Sequence, residues 1–183
     1  HGADSVMMLK HAGLERFDSE LYAEVIAQQA SEKAPQVILI GSTRRGKELA
    51  ARLGQRLGVP CLVDIVDLSV ENGTIKGSRL LLGGKFLVKV EMSGRPVVAS
   101  AAPRRFQPIE PDASRKGEIN EIPVNPPQAR VKIVQVGAKQ AGGVKVEDAS
   151  IIVSAGRGVK KKEDLTVLKE LASTLGGELG CSR

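Results

Sequence analysis

The stretch that decides the reading is residues 149–183, ASIIVSAGRGVKKKEDLTVLKELASTLGGELGCSR. Ile151, Ile152 and Val153 form a short β-branched run of the kind buried in parallel sheets, and Ser154-Ala155-Gly156-Arg157-Gly158 breaks it at once. After that loop, Leu165, Leu168, Leu171, Ala172 and Leu175 recur at helical spacing, and Gly176-Gly177 stops the helix. Strand, glycine loop and amphipathic helix make a βα unit. Glycines flanking an arginine serve tight turns as readily as they approach a phosphate, so spacing alone leaves both readings open. Lys160-Lys161-Lys162 precedes the helix, where positive charge opposes the helix dipole by about 0.3–1 kcal/mol per residue and Glu163 and Asp164 offset it only in part. Such a placement needs solvent or an anionic partner. The chain then reaches Gly180-Cys181-Ser182-Arg183 with a new strand beginning and, on sequence alone, nothing for it to pair with.

At the other end, Gly2-Ala3-Asp4 has the form of the glycine end of a helix whose body is absent, followed by the short apolar run Val6-Met7-Met8-Leu9. The two ends together predict a piece of a longer protein. The 183 residues suffice for one ordinary domain plus part of a second, and 42% apolar with 26% charged content indicates a globular chain. No run of about 18 apolar residues occurs. Cys61 and Cys181 are too few for a disulfide framework or a zinc site; read as reduced core or near-core thiols, they predict a cytoplasmic, or more broadly intracellular, address. A net charge of +6 invites a nucleic-acid partner, yet aromatic content is 2%, which leaves few platforms for stacking bases. An acidic protein partner or a phosphate-bearing ligand fits that charge better.

Between the two ends, Asp18 or Ser19 caps a predicted helix over 19–31 with Leu21, Tyr22, Val25 and Ile26 on its buried stripe. Val37-Ile38-Leu39-Ile40 follows as a short strand closed by Gly41-Ser42-Thr43, and Leu49, Ala50, Leu53 and Leu57 mark a helix over 46–57. This is a second βα unit. The amides at that helix start, with Ser42, Thr43, Arg44, Arg45 and Lys47 close by, can hold an anion; equally, Ser42 or Thr43 caps the helix and the cations are solvated. Residues 61–101 read as an antiparallel ribbon: a run through Val63, Ile65 and Val66, a hairpin turn at Asn72-Gly73, a returning strand over 74–82, a turn at Gly83-Gly84, then strands at 86–90 and 96–99. The ribbon either covers an edge of the parallel sheet or reaches a partner subunit. Residues 103–127 read as a proline-rich surface excursion, 131–136 as a last, half-exposed strand, and 137–143 as linker.

The succession of these elements resembles the alpha subunit of electron-transfer flavoproteins. That family carries a G-A-D start, an A-T-x-x-G-R-D-L-A-P-R run, a G-G-N turn, an R-P-x-x-F run, a G-G-R-G loop, and G-x-S-R opening its flavin domain. The matching residues are Gly2, Ala3 and Asp4; Thr43, Gly46, Leu49, Ala50 and Arg52; Gly83 and Gly84; Pro103 and Phe106; Gly156, Arg157 and Gly158; and Gly180, Ser182 and Arg183. Lys47 and Glu48, Ala51, Lys85, Ala102 and Ala155 depart from the pattern. They leave open the choice among an ordinary carrier, a nitrogen-fixation-associated form and an electron-bifurcating form.

The resemblance implies an α/β fold. A mostly parallel mixed sheet with flanking helices, nucleotide-hydrolase-like, would occupy 1–136 with its antiparallel ribbon, a linker 137–147, and the first βα unit of a Rossmann-like FAD-binding domain 148–183. It implies an electron carrier rather than an enzyme, one half of a heterodimer with a beta subunit. Electrons would pass through FAD from dehydrogenases, such as those acting on acyl-CoA esters in fatty-acid β-oxidation, to a quinone oxidoreductase or another acceptor. The setting would be a bacterial or archaeal cytoplasm or a mitochondrial matrix. Arg183, with Ser182 beside it, is the flavin contact carried over by motif; most of the FAD pocket would lie outside these residues, so the piece alone would not retain FAD. The competing reading is a stand-alone nucleotide-binding or nucleotide-hydrolysing α/β protein using Ser42 and Thr43. Against it, the loop lacks the G-x-x-x-x-G-K-[S/T] spacing, and the chain shows no Ser/His/Asp, metal or paired-carboxylate constellation.

Overall fold

The structure is a computed structural model that describes residues 2–112, 114–137 and 146–181. Two compact units divide it, His1–Lys132 and Ile133–Arg183. The first contains strand β1 (Ser5–Lys10), helix α1 (Ser19–Lys33), β2 (Val37–Gly41), α2 (Arg44–Leu57), β3 (Cys61–Glu71), β4 (Thr74–Leu81), β5 (Phe86–Met92), β6 (Val97–Ala101) and β7 (Glu118–Pro123). The second contains β8 (Ile152–Ala155), α3 (Leu165–Thr174) and β9 (Glu178–Cys181).

Local chemistry sets the helix limits. Asp18 accepts from the amides of Glu20 and Leu21 at 2.8 and 3.1 Å and opens α1. Thr43 Oγ1 accepts from the Gly46 amide at 3.0 Å and opens α2, while Gly58, at φ 67°, closes it in the left-handed conformation that favours glycine. The main sheet runs β2-β6-β3-β4-β5. Its first three strands are parallel, and β4 and β5 continue antiparallel through the turn at Asn72 (φ 50°) and Gly73 (φ 78°). Helices α1 and α2 bury Ala23, Ala27, Leu49, Ala50 and Leu53 with Val98 of the central strand. Val97, one residue earlier and therefore on the opposite face, packs with Ile75 and Met92 in a second cluster that Leu62, Leu68 and Val90 border.

The α/β class stands, with three corrections to the expected elements. The segment over 96–99 does not extend the ribbon as a meander: β6 returns to the middle of the sheet and pairs in parallel with both β2 and β3. Its residues Val97 to Ser100 are all buried, the environment a central parallel strand requires. Residues 131–136 form no strand: they pair with no sheet, and Val131, Val134 and Val136 stay exposed, so the alternation buries no face. The proline-rich excursion instead holds β7, in parallel register with β1 from Ser5↔Glu118 to Lys10↔Pro123.

In the second unit, β9 finds a partner after all. It pairs in parallel with β8, Ile152 opposite Glu178 and Ala155 opposite Cys181. The intervening helix supplies the crossover that parallel pairing demands, so the unit is a βαβ rather than a βα. Most of the expected linker, 138–145, lies outside the described residues, as do Ser182 and Arg183.

Candidate functional site

Two places carry chemistry, one in each unit. In the first, the parallel strands β2, β6 and β3 end beside the start of α2, where α/β sheets commonly take ligands. Ser42 follows β2, Ser100 lies in β6 and Asp64 in β3. The Asp64 amide donates to Ser100 Oγ at 3.1 Å, Ser42 Oγ donates to Asp64 Oδ1 at 2.5 Å, and the two hydroxyl oxygens are 2.9 Å apart. With the Ser42 proton committed to the carboxylate, Ser100 is the donor between the hydroxyls, which closes a ring of three hydrogen bonds. Lys47 Nζ donates to Asp64 Oδ2 at 2.6 Å. Asp64 itself adopts φ 61°, inside the break in register between β3 and β6 from Leu62 to Ile65, and the register with β4 breaks just after it, between Ile65 and Asp67.

Burial pushes the Asp64 carboxyl up, but hydrogen bonds from Lys47 and Ser42 and the nearby charges of Lys47 and Arg79 outweigh it and hold the group below its usual range. A carboxylate of the chain thus engages Lys47 and the Ser42 hydroxyl, two of the groups an external anion would need. Thr43 is spent as the cap of α2, and the guanidinium of Arg45 lies 5.3 Å from the ring centre of Phe17. Of the residues expected to hold an anion here, Ser42, Thr43 and Lys47 come together but are already engaged. The sequence reading missed Asp64 and Ser100; the only signal was an acidic residue at a position flanked by Val63 and Ile65.

The second place is the loop between β8 and α3. Gly156, Arg157, Val159, Lys160, Lys161 and Lys162 wall an open pocket of about 420 Å³, which Ala155 and Cys181 close at the ends of the two parallel strands. Among the described residues no acidic one lines it. Arg157 and the three lysines form no ion pair among the described residues. Helix α3 starts without help: Asp164 precedes it in helical conformation and makes no side-chain cap bond. The loop therefore concentrates positive charge at the positive end of a helix, an arrangement suited to phosphate groups. Ser182 and Arg183 follow Cys181 directly in the chain but lie outside the described residues. Cys181 is exposed, against the expectation of a near-core thiol, because β9 is an edge strand whose last residue reaches the pocket; Cys61 is half-buried. Among the described residues no cluster of metal-ligating side chains occurs, and no helix is long and apolar enough to cross a membrane.

Comparison with known proteins places both units. Residues 1–127 match the electron transfer flavoprotein domain, and residues 145–183 match the electron transfer flavoprotein FAD-binding domain. The chain is 34% identical over 183 residues to the electron transfer flavoprotein subunit alpha of Bacillus subtilis and 34% identical over 193 residues to that of Megasphaera elsdenii. It is 32% identical over 187 residues to the protein FixB of Clostridium saccharobutylicum. Each match covers all of this chain and 56% of the relative's length. With the ordered succession of motifs, the parallel α/β sheet and the basic βαβ loop all falling inside the matched segments, the chain belongs to the electron transfer flavoprotein family.

Proposed function

We propose that these 183 residues are part of the alpha subunit of a heterodimeric electron-transfer flavoprotein that holds FAD and carries electrons between protein partners. The observation that carries this reading is the pocket of the second unit. Its Arg157, in a pocket lined by no carboxylate among the described residues, fits a phosphate of a dinucleotide's pyrophosphate. Within it, Arg157 leaves the end of β8 and would hold one phosphate; Arg183, two residues beyond the pocket wall at Cys181, would hold the other or the electron-rich end of the reduced ring, with Ser182 beside it. FAD, when bound, supplies the capacity to take up and release electrons. The chain's own task is to bind and orient it, which requires no catalytic side chains.

The remaining features of this reading are a beta subunit as partner, dehydrogenases such as those acting on acyl-CoA esters as donors, a quinone oxidoreductase or similar acceptor, and a domain boundary across 137–147. The ribbon of β3, β4 and β5 suits the beta-subunit contact: β5 is a free sheet edge, and Leu80, Leu82, Phe86 and Leu87 stand exposed at its tip. The nucleotide-hydrolase alternative loses support from the first unit, where Asp64 already engages the Ser42 hydroxyl and Lys47.

Arg183→Ala in the full-length heterodimer tests the assignment. Loss of one charge-assisted hydrogen bond removes roughly 1.5–3 kcal/mol, or about ten- to a hundredfold in affinity, so weaker FAD retention or a shifted reduction potential is expected with the fold intact. Unchanged affinity and potential would refute the role given to Arg183.

A further inference from the structure

The basic pocket holds more positive charge than a dinucleotide needs. A pyrophosphate carries one negative charge per phosphate, and Arg157 together with Arg183, in the role proposed above, would suffice to neutralise it. Lys160, Lys161 and Lys162 are then in surplus. All three are exposed, all three line the pocket, and none has an ion-pair partner among the described residues. They stand just ahead of α3, whose positive end adds to their field. Glu163 and Asp164 follow in the chain but do not line the pocket. Keeping three like charges adjacent has no evident benefit to folding, since they oppose the helix they precede.

We propose that the rim formed by Lys160, Lys161 and Lys162 is a docking surface for an acidic patch on a protein redox partner, placed at the mouth of the cofactor pocket. The inference rests on the electron-carrier reading above. A cluster of one sign at an open site draws in partners of the other sign and accelerates their encounter by about 10- to 1,000-fold at low salt, an effect that ionic strength screens. Acidic partners would thus be guided to the mouth of the cofactor pocket, and basic ones turned away. A second phosphate-bearing ligand is the rival occupant, and it is separated by the test.

The test uses the full-length heterodimer and its Lys161→Gln/Lys162→Gln variant. FAD content is measured first by absorbance. The reduced protein is then reoxidised, one electron per oxidant molecule, by anionic ferricyanide and by cationic hexaammineruthenium(III) across a range of ionic strength. For the parent protein the ferricyanide rate should fall with salt and the ruthenium rate rise. The variant should keep its FAD, react about three- to tenfold more slowly with ferricyanide at low salt, and show flatter salt dependence with both oxidants. Identical salt slopes in parent and variant would overturn the proposal. A variant that folds but loses FAD would overturn it too, by assigning these lysines to a phosphate ligand. A parent heterodimer that binds no FAD would instead defeat the carrier reading, and the docking surface with it.

Discussion

Gly46→Ala offers a sharp test of how the first unit is assembled. Gly46 lies in the first turn of α2, and a Cβ built on it would fall 1.9 Å from the carbonyl oxygen of Gly41, at the end of β2. Real Cβ atoms do not approach within 3.0 Å, so the start of the helix would have to move by about 1 Å. The obstacle is backbone and cannot rotate away. Overpacking of this kind costs about 1–3 kcal/mol, and a shifted helix start also endangers the Thr43 cap, worth about 1 kcal/mol. Alanine's better helix propensity returns only about 0.8–1 kcal/mol. A net loss of roughly 2 kcal/mol follows, a fall of about 4–8 °C in melting temperature for a domain of this size. Gly77→Ala is the control, because its Cβ would meet Leu62 Cδ2 at 2.9 Å and Met92 Cε at 3.2 Å, both ends of flexible side chains. Thermal and urea unfolding of the full-length variants, followed by circular dichroism, would compare the two. Gly46→Ala as stable as the parent, or less damaging than Gly77→Ala, would refute the close approach of α2 to β2.

Two further outcomes follow from the ionisable groups. Asp64 is held below its unfolded range near 3.8, so its contribution is fully present above that range and disappears as pH falls through the folded value. Asp64→Asn keeps a residue that tolerates the left-handed backbone and should flatten the acid limb of a stability profile. The loss at neutral pH should stay within about 1 kcal/mol, since the side chains of both Asp64 and Lys47 are more than a third exposed; an unchanged acid limb would contradict the pairing. Burial pushes the Cys61 thiol up, while Cys181 is exposed beside lysines, so Cys181 should be alkylated first at mildly alkaline pH; peptide mapping that finds Cys61 modified first would count against the packing around β3.

Elements written in local pattern were legible in the sequence. The stripes of α1 and α2, the apolar run of β2 and the Asn72-Gly73 hairpin each carry their own signal, and each appears where the pattern places it. What escaped was pairing at long range. Nothing local tells β6 to return between β2 and β3, or β7 to pair with β1 across more than a hundred residues. Alternation at Val131 to Val136 is the same signal that β3 carries, but alternation does not say whether a neighbouring strand will pair with it. The site divides in the same way. The loop of Gly156, Arg157 and Gly158 was visible as a motif, whereas Asp64 and Ser100, 36 residues apart, become a unit only when two strands are set side by side.

The closed ring through Asp64, Ser100 and Ser42 also governs how this chain can change over generations. Each hydroxyl gives one proton and receives one, so replacing a single member leaves its neighbours without a donor or an acceptor in a place where water is scarce. Exchanging all three for apolar side chains would not cure the loss, because the amide that donates to Ser100 Oγ is backbone and would remain without an acceptor. The two buried serines are therefore the positions least able to drift, whereas Asp64, more than a third exposed, tolerates exchange for asparagine.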